Sequence, residues 1–372
     1  MFYVSLIIIQ AILFEAHFLI YVTFREIFDL HGDILFVLKI ILGILSLSFL
    51  SMSIVARFFY NKFTRIMYAI AATWFGFLMY FLLAGAMYWL LVFVGGKEIS
   101  ETTLSFAGTL FFAAAIFVGV FGIINSQNIR ITKITVKISN LPKIWSAKKA
   151  MLVSDVHLGQ IRGEKFSRKI TQMINEISPD IVFFAGDIFD GLKTDIEKNL
   201  LPFKEIKAPL GIFFVSGNHE EYADDSGAKY ADAIKRVGIK VLENEKIVID
   251  GVEIIGVSDS DAIDKIIYEK ILSSLFTEKK TSPRILLKHT PVFTDVAIKY
   301  KIDLELSGHT HGGQVFPFNI ITPLIFKERN YGLSQSNNLT TYTSSGAGTW
   351  GPPIRIGTNP EIVLISFENK SS

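Results

Sequence analysis

The sequence predicts a two-part protein, with a transmembrane domain of four helices over residues 1–128 and an α/β domain over residues 129–372. Two observations predict this division. The first part consists of long uncharged stretches rich in Phe, Leu, Ile and Ala, and the mean hydropathy of the whole chain is +0.40. In the second part, short apolar runs alternate with amphipathic stretches, as is typical of buried strands between helices.

Four apolar runs in the first part are each long enough to cross a bilayer as a helix. A transmembrane helix needs about 20 apolar residues, and the runs cover residues 2–24, 34–56, 66–94 and 104–124. No Lys or Arg precedes the first run and no Ala-x-Ala-like site follows it, so we expect this run to remain as a span. The prediction is a multi-pass protein of the cell membrane.

The distribution of basic residues predicts the orientation. Positive charges favour the cytoplasmic side of a membrane protein. They are concentrated between the second and third runs and after the fourth run, at Arg57, Lys62, Arg65, Arg130, Lys133 and Lys137. We therefore expect the α/β domain to face the cytoplasm.

Two ionisable residues, Glu15 and His17, fall inside the first apolar run. Ionisable groups at membrane depth are costly and often functional, so a proton or headgroup role is one interpretation. The preferred interpretation is structural: both side chains face the interior of the helix bundle or lie nearer the membrane surface.

Composition excludes several classes of function. The net charge of +2 gives no indication of nucleic-acid binding. The chain contains no Cys, which excludes disulfides, thiolate nucleophiles and cysteine-type zinc sites. Any metal must therefore be bound by His, Asp, Glu or Asn.

The α/β domain begins close to the last apolar run. Residues 129–138 mix apolar and polar positions with a period of about two, which predicts a half-buried strand. Further on, one helical face is formed by Phe166, Ile170, Met173, Ile174 and Ile177.

Potential metal ligands follow the apolar runs at the points where strands should end. The runs 151–153, 181–184, 212–215, 285–287 and 304–306 lead to Asp155 and His157, Asp187, Asn218 and His219, His289, and His309 and His311. Five of the seven His residues of the chain lie in these positions. Side chains two apart in an extended segment point the same way, so the two paired motifs can each chelate an ion. Because α/β sheets hold ligands at the carboxyl ends of their strands, these residues predict one metal site.

The same residues resemble the motifs of the calcineurin-like metallophosphoesterases. The matching blocks, in family order, are Asp155-Val156-His157, Gly186-Asp187-Ile188-Phe189-Asp190, Gly217-Asn218-His219-Glu220, His289 and Gly308-His309-Thr310-His311. The resemblance covers residues 149–368 and is greatest to a membrane-anchored bacterial branch with the motifs found here at 308–314 and 354–362. Together the blocks are specific, although each alone is weak.

The resemblance implies a layered αββα sandwich and a site for two divalent ions, with manganese, iron and zinc as candidates. It puts one ion on Asp155, His157, Asp187 and His311, and the other on Asp187, Asn218, His289 and His309, so that Asp187 bridges them. His219 is then expected near the leaving oxygen as a general acid or stabiliser. Glu220 is expected to orient His219, although the family often has Asp at this position.

The expected function is hydrolysis of a phosphate ester by metal-activated water. Asp190 stands where purple acid phosphatases have Tyr, and Val215-Ser216 stand where phosphoprotein phosphatases have Arg, so a phosphodiester or pyrophosphate is preferred over a phosphomonoester. The membrane part suggests a lipid-linked substrate. The alternative is a membrane sensor or transporter whose domain binds a phosphate ligand without cleaving it. The oligomeric state is not predicted.

Several charged residues near the motifs are assigned structural roles. Asp190, Asp259 and Asp261 are expected to be caps, turn formers or partners of ligands. Arg162 and Lys288 are expected to be solvated, although either could contact a phosphate group.

Overall fold

The protein is described by a computed structural model covering residues 2–222, 228–276 and 280–370. The chain divides into two units. The first comprises Met1–Asn125 with Gly351–Ile354, and the second comprises Ser126–Trp350 with Arg355–Ser372. The division falls two residues before the end of the fourth helix.

The first unit contains the helices α1 (Phe2–Phe28), α2 (Gly32–Phe58), α3 (Lys62–Gly95) and α4 (Glu101–Gln127). Among the described residues, these four helices are long and apolar enough to cross a membrane, which confirms the prediction of four long apolar helices. Each helix extends beyond the predicted apolar run. At the start of α3, the Asn61 side chain accepts a hydrogen bond from the Thr64 amide in a reciprocal capping box.

The two ionisable residues of α1 differ in burial. His17 is 4% exposed, and its Nε2 atom accepts a hydrogen bond of 2.8 Å from Trp74 Nε1. This agrees with the structural interpretation. Glu15, however, is exposed on the surface of the first unit, so it does not face the bundle interior, and a position nearer the membrane surface stays the prediction for it.

The second unit contains two mixed sheets. The described strands are β1 (Arg130–Ile138), β2 (Lys149–Val153), β3 (Ile181–Ala185), β4 (Ile212–Val215), β5 (Lys240–Val241), β6 (Glu245–Ile249), β7 (Val252–Gly256), β8 (Arg284–Leu287), β9 (Leu304–Ser307), β10 (Gly332–Ser336), β11 (Leu339–Thr343) and β12 (Glu361–Asn369). Their orders are β1-β12-β2-β3-β4-β5 and β10-β11-β9-β8-β7-β6. The strand predicted at residues 129–138 and the five predicted before the motifs are confirmed.

Helices cover the outer faces of both sheets. The first sheet is covered by α5 (Glu164–Ile177), α6 (Ile196–Leu200) and α8 (Ala228–Arg236), and the second by α9 (Asp259–Ala262), α10 (Lys265–Leu275) and α11 (Thr294–Lys299). Two further helices, α7 (Asn218–Tyr222) and α12 (Phe318–Phe326), lie in the segments that follow β4 and β9. Alternate strand residues point to opposite faces. Leu152 and Phe183 therefore pack between the sheets, whereas Met151 and Phe184 pack with Ile170 of α5. The layers are helix, sheet, sheet and helix, as expected.

Strand register determines which end of the unit carries the site. β1 and β12 run parallel, with Arg130 opposite Glu361, and β12 runs antiparallel to β2, with Val363 opposite Leu152. The carboxyl end of β2 therefore lies at the same end of the sheet as Arg130, the first residue of β1. The remaining site strands of this sheet, β3 and β4, are parallel to β2.

Candidate metal centre

The residues predicted as ligands converge on one buried cluster at the carboxyl ends of β2, β3, β4, β8 and β9. Asp155 and His289 are fully buried, and His157, Asp187 and His311 are buried as well. The loops that carry them have an unusual backbone. Five predicted ligands have left-handed φ values: 51° at Asp155, 52° at His157, 54° at Asp187, 72° at His309 and 51° at His311. Such strained backbone in residues other than glycine is concentrated at functional sites.

One group within the cluster consists of Asp155, His157 and His311, whose donor atoms lie within 4.8 Å of one another. The Nε2 atoms of His157 and His311 are 3.0 Å apart, and His311 Nε2 lies 3.4 Å from Asp155 Oδ1. The structure thus brings together one carboxylate and two imidazoles in a volume suited to one ion.

A second group consists of Asp155, Asp187 and His289. His289 Nε2 lies 3.1 Å from Asp187 Oδ2 and 3.9 Å from Asp155 Oδ1. Asp187 also lies near the first group, with its Oδ2 atom 3.9 Å from His157 Nε2. Asp187 is therefore located between the two groups.

Asn218 and His309 lie at the side of the second group. Asn218 Oδ1 is 3.0 Å from His309 Nδ1, and the His309 ring meets the His289 ring edge-on with centroids 5.1 Å apart. The His309 amide donates to Asp155 Oδ1 at 3.0 Å, which fixes the loop after β9 against the loop after β2.

His219 is more accessible than the buried ligands, with 14% of its side chain exposed. Its Nε2 atom lies 4.0 Å from Asp187 Oδ2, and its Nδ1 atom lies 3.1 Å from the Asp190 carbonyl oxygen. Because that oxygen can only accept, Nδ1 carries a proton and Nε2 faces the centre. This placement suits a group that contacts substrate.

Glu220 does not orient His219, contrary to expectation. Its buried carboxylate accepts hydrogen bonds of 2.9 Å each from the amides of Asp187, Phe189 and Gly217. The side chain therefore binds the loop after β3 to the loop after β4. Glu220 therefore supports the position of Asp187. The group that contacts the His219 ring, where Glu220 was expected, is the Asp190 carbonyl.

Burial dominates the electrostatics of the cluster. It raises the pKa of Asp155 to about 6 and lowers the pKa values of His157 and His311 well below that of free histidine. Burial also opposes charge on Asp187 and His289, but their mutual contact prevails, lowering the pKa of Asp187 and raising that of His289.

The hydrogen bonding of His289 provides a test of whether a metal fits. Its Nδ1 atom donates to the Ala185 carbonyl at 2.7 Å, so a neutral ring directs the Nε2 lone pair at Asp187. In the protonated ring, which the raised pKa favours, this buried Nε2 atom instead pairs with Asp187 Oδ2. A lone pair facing a carboxylate in a buried site is unfavourable, so this contact requires a positive charge between the two atoms, supplied by a proton or by a metal ion. The oxygen and nitrogen donors fit divalent manganese, iron or zinc.

Arg355 is a component of the site that the sequence reasoning did not assign. It is fully buried; its Nη1 atom donates to the His311 carbonyl at 2.9 Å, and its Nη2 atom lies 3.0 Å from His311 Nδ1. Nη2 also donates to the carbonyls of Ser345 and Gly348, both at 2.6 Å. The available signal was a charged residue between Ile354 and Ile356 in the tail motif.

Two other cations are buried, so the expectation that they are solvated is wrong. Arg162 donates to Thr349 Oγ1 at 2.5 Å and to the Ser126 carbonyl at 3.1 Å. Lys288 is fully buried, and its Nζ atom lies 3.4 Å from Glu305 Oε1. The Arg162 side chain thus connects residues near 126 and 349, and the Lys288 side chain contacts the neighbouring strand β9.

Asp190, Asp259 and Asp261, which were expected to have structural roles, contact neighbouring polar side chains. Asp259 accepts a hydrogen bond from Thr290 Oγ1 at 2.6 Å, and Asp261 accepts one from Ser258 Oγ at 2.7 Å. Asp190 lies beside the centre, with Oδ1 3.8 Å from His157 Nδ1.

Comparison with known proteins gives relatives of one kind. A family model described as calcineurin-like phosphoesterase matches residues 148–313. An uncharacterized metallophosphoesterase of Aquifex aeolicus is 32% identical over 263 residues, which cover 69% of this chain and 99% of the relative. An uncharacterized metallophosphoesterase of Campylobacter jejuni is 33% identical over 237 residues, 62% of each chain.

A vertebrate relative and a solved structure extend the comparison. A zebrafish protein named as a transmembrane protein with metallophosphoesterase domain is 30% identical over 66% of this chain and 59% of its own length. The match thus spans less than two thirds of the Campylobacter and zebrafish relatives. A solved dimetal phosphatase from zebrafish has a TM-score of 0.35 and 11% identity, covering 54% of this chain and 88% of that one. On the match to nearly the whole Aquifex protein, the chain belongs to the calcineurin-like metallophosphoesterase family.

Proposed function

We propose that the protein is a membrane-anchored hydrolase that cleaves a phosphate ester with the help of two divalent metal ions. The observation that carries this proposal is the convergence of buried carboxylates and imidazoles from five loops. A buried cluster of this charge is unfavourable by itself, and bound cations would stabilise it.

The proposed ligands are those expected from the sequence. Asp155, His157 and His311 would hold one ion, Asn218, His289 and His309 the other, and Asp187 both. The supporting contacts are His311 with Asp155 and His157, His289 with Asp187, and Asn218 with His309. When bound, such a pair of ions supplies Lewis acidity to the phosphoryl group and lowers the pKa of an attacking water.

His219 is the proposed proton donor to the leaving oxygen. Its Nδ1 atom is fixed by the Asp190 carbonyl, so Nε2 is the position from which a proton can be given. Glu220 is proposed as a positioning residue, because it holds the amide of Asp187 and the turn at Gly217.

The proposed substrate is a phosphodiester or pyrophosphate, with a lipid-linked compound favoured by the four apolar helices. The basic residues that flank α2, α3 and α4 support a cytoplasmic location for the α/β unit. Tethering to the membrane would raise the effective concentration of a substrate held there.

The proposal is tested with the full chain in detergent and bis-p-nitrophenyl phosphate as the probe. We expect turnover that depends on manganese, iron or zinc, that a chelator abolishes, and that Asp187→Asn reduces by about 10²-fold or more. Asp250→Asn is the matched control, since Asp250 lies in an exposed turn. Binding of vanadate or phosphate without turnover on this probe or on a panel of diesters and pyrophosphates would favour the ligand-binding alternative.

A further inference from the structure

The helix α12 exposes large apolar side chains, which are usually buried in a water-soluble protein. Its nine residues are Phe-Asn-Ile-Ile-Thr-Pro-Leu-Ile-Phe, and none of them is buried. Leu324 is 79% exposed, Ile325 67% and Ile320 58%. A large apolar patch on a soluble surface marks an interaction site. With a rise of 1.5 Å per residue, the helix is only about 14 Å long, which is too short to span a bilayer.

α12 is attached directly to the metal centre. It begins four residues after Gln314, which ends the loop containing His309 and His311. Gly313 in this loop has a φ of 86°, and a Cβ atom there would lie 2.4 Å from the Asn319 Cα atom, so the loop and the helix approach without a side chain between them. At the other end of α12, the Phe326 ring meets the His309 ring edge-on with centroids 5.9 Å apart.

α12 also lies at the end of the α/β unit where the chain enters from α4. Tyr331, shortly after α12, donates to Glu361 Oε2 at 3.2 Å, and Glu361 is opposite Arg130 in the sheet. Only residues 128 and 129 separate Arg130 from Gln127, the last residue of α4. Three Cα steps of 3.8 Å limit that separation to about 11 Å, so the chain itself holds this end of the sheet close to the last residue of α4.

The residues around α12 are those found at a membrane surface. Lys327 follows the helix and is exposed, as suits a cation beside lipid phosphate. Two aromatic residues with polar atoms, Tyr331 and Trp350, are 50% and 59% exposed. The centroids of the Trp350 and His219 rings are 6.2 Å apart, so this surface adjoins the residue proposed to contact substrate.

We propose that α12 inserts its apolar side chains into the boundary between headgroups and acyl chains of the membrane that holds α1 to α4. A short helix with large apolar side chains binds at this depth in proportion to the apolar area that it buries. The metal centre then opens at the membrane surface and takes a phosphate-bearing amphiphile from the lipid phase. This second statement rests on the proposed function, whereas the insertion of α12 does not.

Insertion is tested by spin labelling of the full chain in phospholipid nanodiscs. The chain has no Cys, so Leu324→Cys gives a single nitroxide site without further changes. Val248→Cys is the matched control, because Val248 is an apolar residue, 62% exposed, on β6 at the opposite edge of the sheet from β10. We expect lipid-soluble oxygen to relax the label at position 324 and chelated nickel to relax the label at 248.

Two results would overturn insertion. A label at position 324 as accessible to nickel as the control would place α12 in water. A label shielded from both oxygen and nickel would mean that protein, from a second copy or another partner, covers the helix.

The substrate statement is tested in proteoliposomes with two probes that share a leaving group: phosphatidyl-p-nitrophenol in the bilayer and bis-p-nitrophenyl phosphate in solution. We expect Leu324→Asp to lower the ratio of lipid to soluble turnover by about tenfold or more, because an inserted leucine contributes through apolar burial. An unchanged ratio would contradict the statement. If the wild type cleaves neither probe while position 324 is in lipid, the failure belongs to the proposed function and not to the insertion.

Discussion

The metal centre and the helix α12 lie at the same end of the α/β unit and depart from ordinary burial in opposite directions. The centre buries ionisable side chains, including Asp155 and His289, whereas α12 exposes Leu324 and Ile325. Each arrangement is unfavourable in water without a partner, because buried charge needs compensation and large apolar patches attract other surfaces. The comparison shows two departures from ordinary burial, and it is the basis of the two proposals made above, of cations at the centre and of a lipid surface at α12.

The largest expected effect is on turnover in a variant of His219 that still binds metal. We expect His219→Ala to lower the turnover of bis-p-nitrophenyl phosphate by about 10²- to 10⁴-fold, the range typical of a general acid, with the metal content unchanged. Steady-state assays together with elemental analysis check this. His31→Ala is the control, since the His31 side chain is 69% exposed. Loss of metal in His219→Ala would show that the residue is a ligand, which would contradict its assigned role.

The second prediction concerns the contribution of the buried Arg355 side chain to stability. Arg355→Met removes the guanidinium donors to the carbonyls of His311, Ser345 and Gly348. The His311 carbonyl then keeps the Gln314 amide as a donor. We expect a loss of about 2–5 kcal/mol in the free energy of unfolding, measured by chemical denaturation in detergent. Arg236→Met is the matched control, because its ion pair with Glu197 is exposed and such pairs contribute about 0–1 kcal/mol. Equal losses in the two variants would contradict a supporting role for Arg355.

The smallest expected effect distinguishes the two roles considered for Glu220. In Glu220→Gln, an amide NH₂ group replaces one of the two oxygens that accept hydrogen bonds from backbone amides. We expect the free energy of unfolding to fall by about 1–3 kcal/mol. Thermal unfolding checks this, with Glu197→Gln as the surface control. A stability equal to that of the wild type, together with an altered pH profile of turnover, would instead support a direct pairing with His219.

The ligand types and strand ends could be predicted because their signals are local. Asp155 with His157, and His309 with His311, combine ligand chemistry with spacing after an apolar run. Burial of charge could not be predicted in this way, because it depends on partners distant in sequence. Lys288 is buried since Glu305 stands on the neighbouring strand β9, and Arg355 is buried since four loop carbonyls surround it. Likewise, the apolar sequence of α12 is compatible with a core helix, and only the fold leaves it uncovered.

The most direct test of the account is the metal content of the purified full chain after reconstitution with manganese, iron or zinc. The account predicts two ions per chain in the wild type and in Asp250→Asn, and at most one in Asp187→Asn, because Asp187 would bind both. A folded wild-type chain that retains no ion with any of these metals would contradict it.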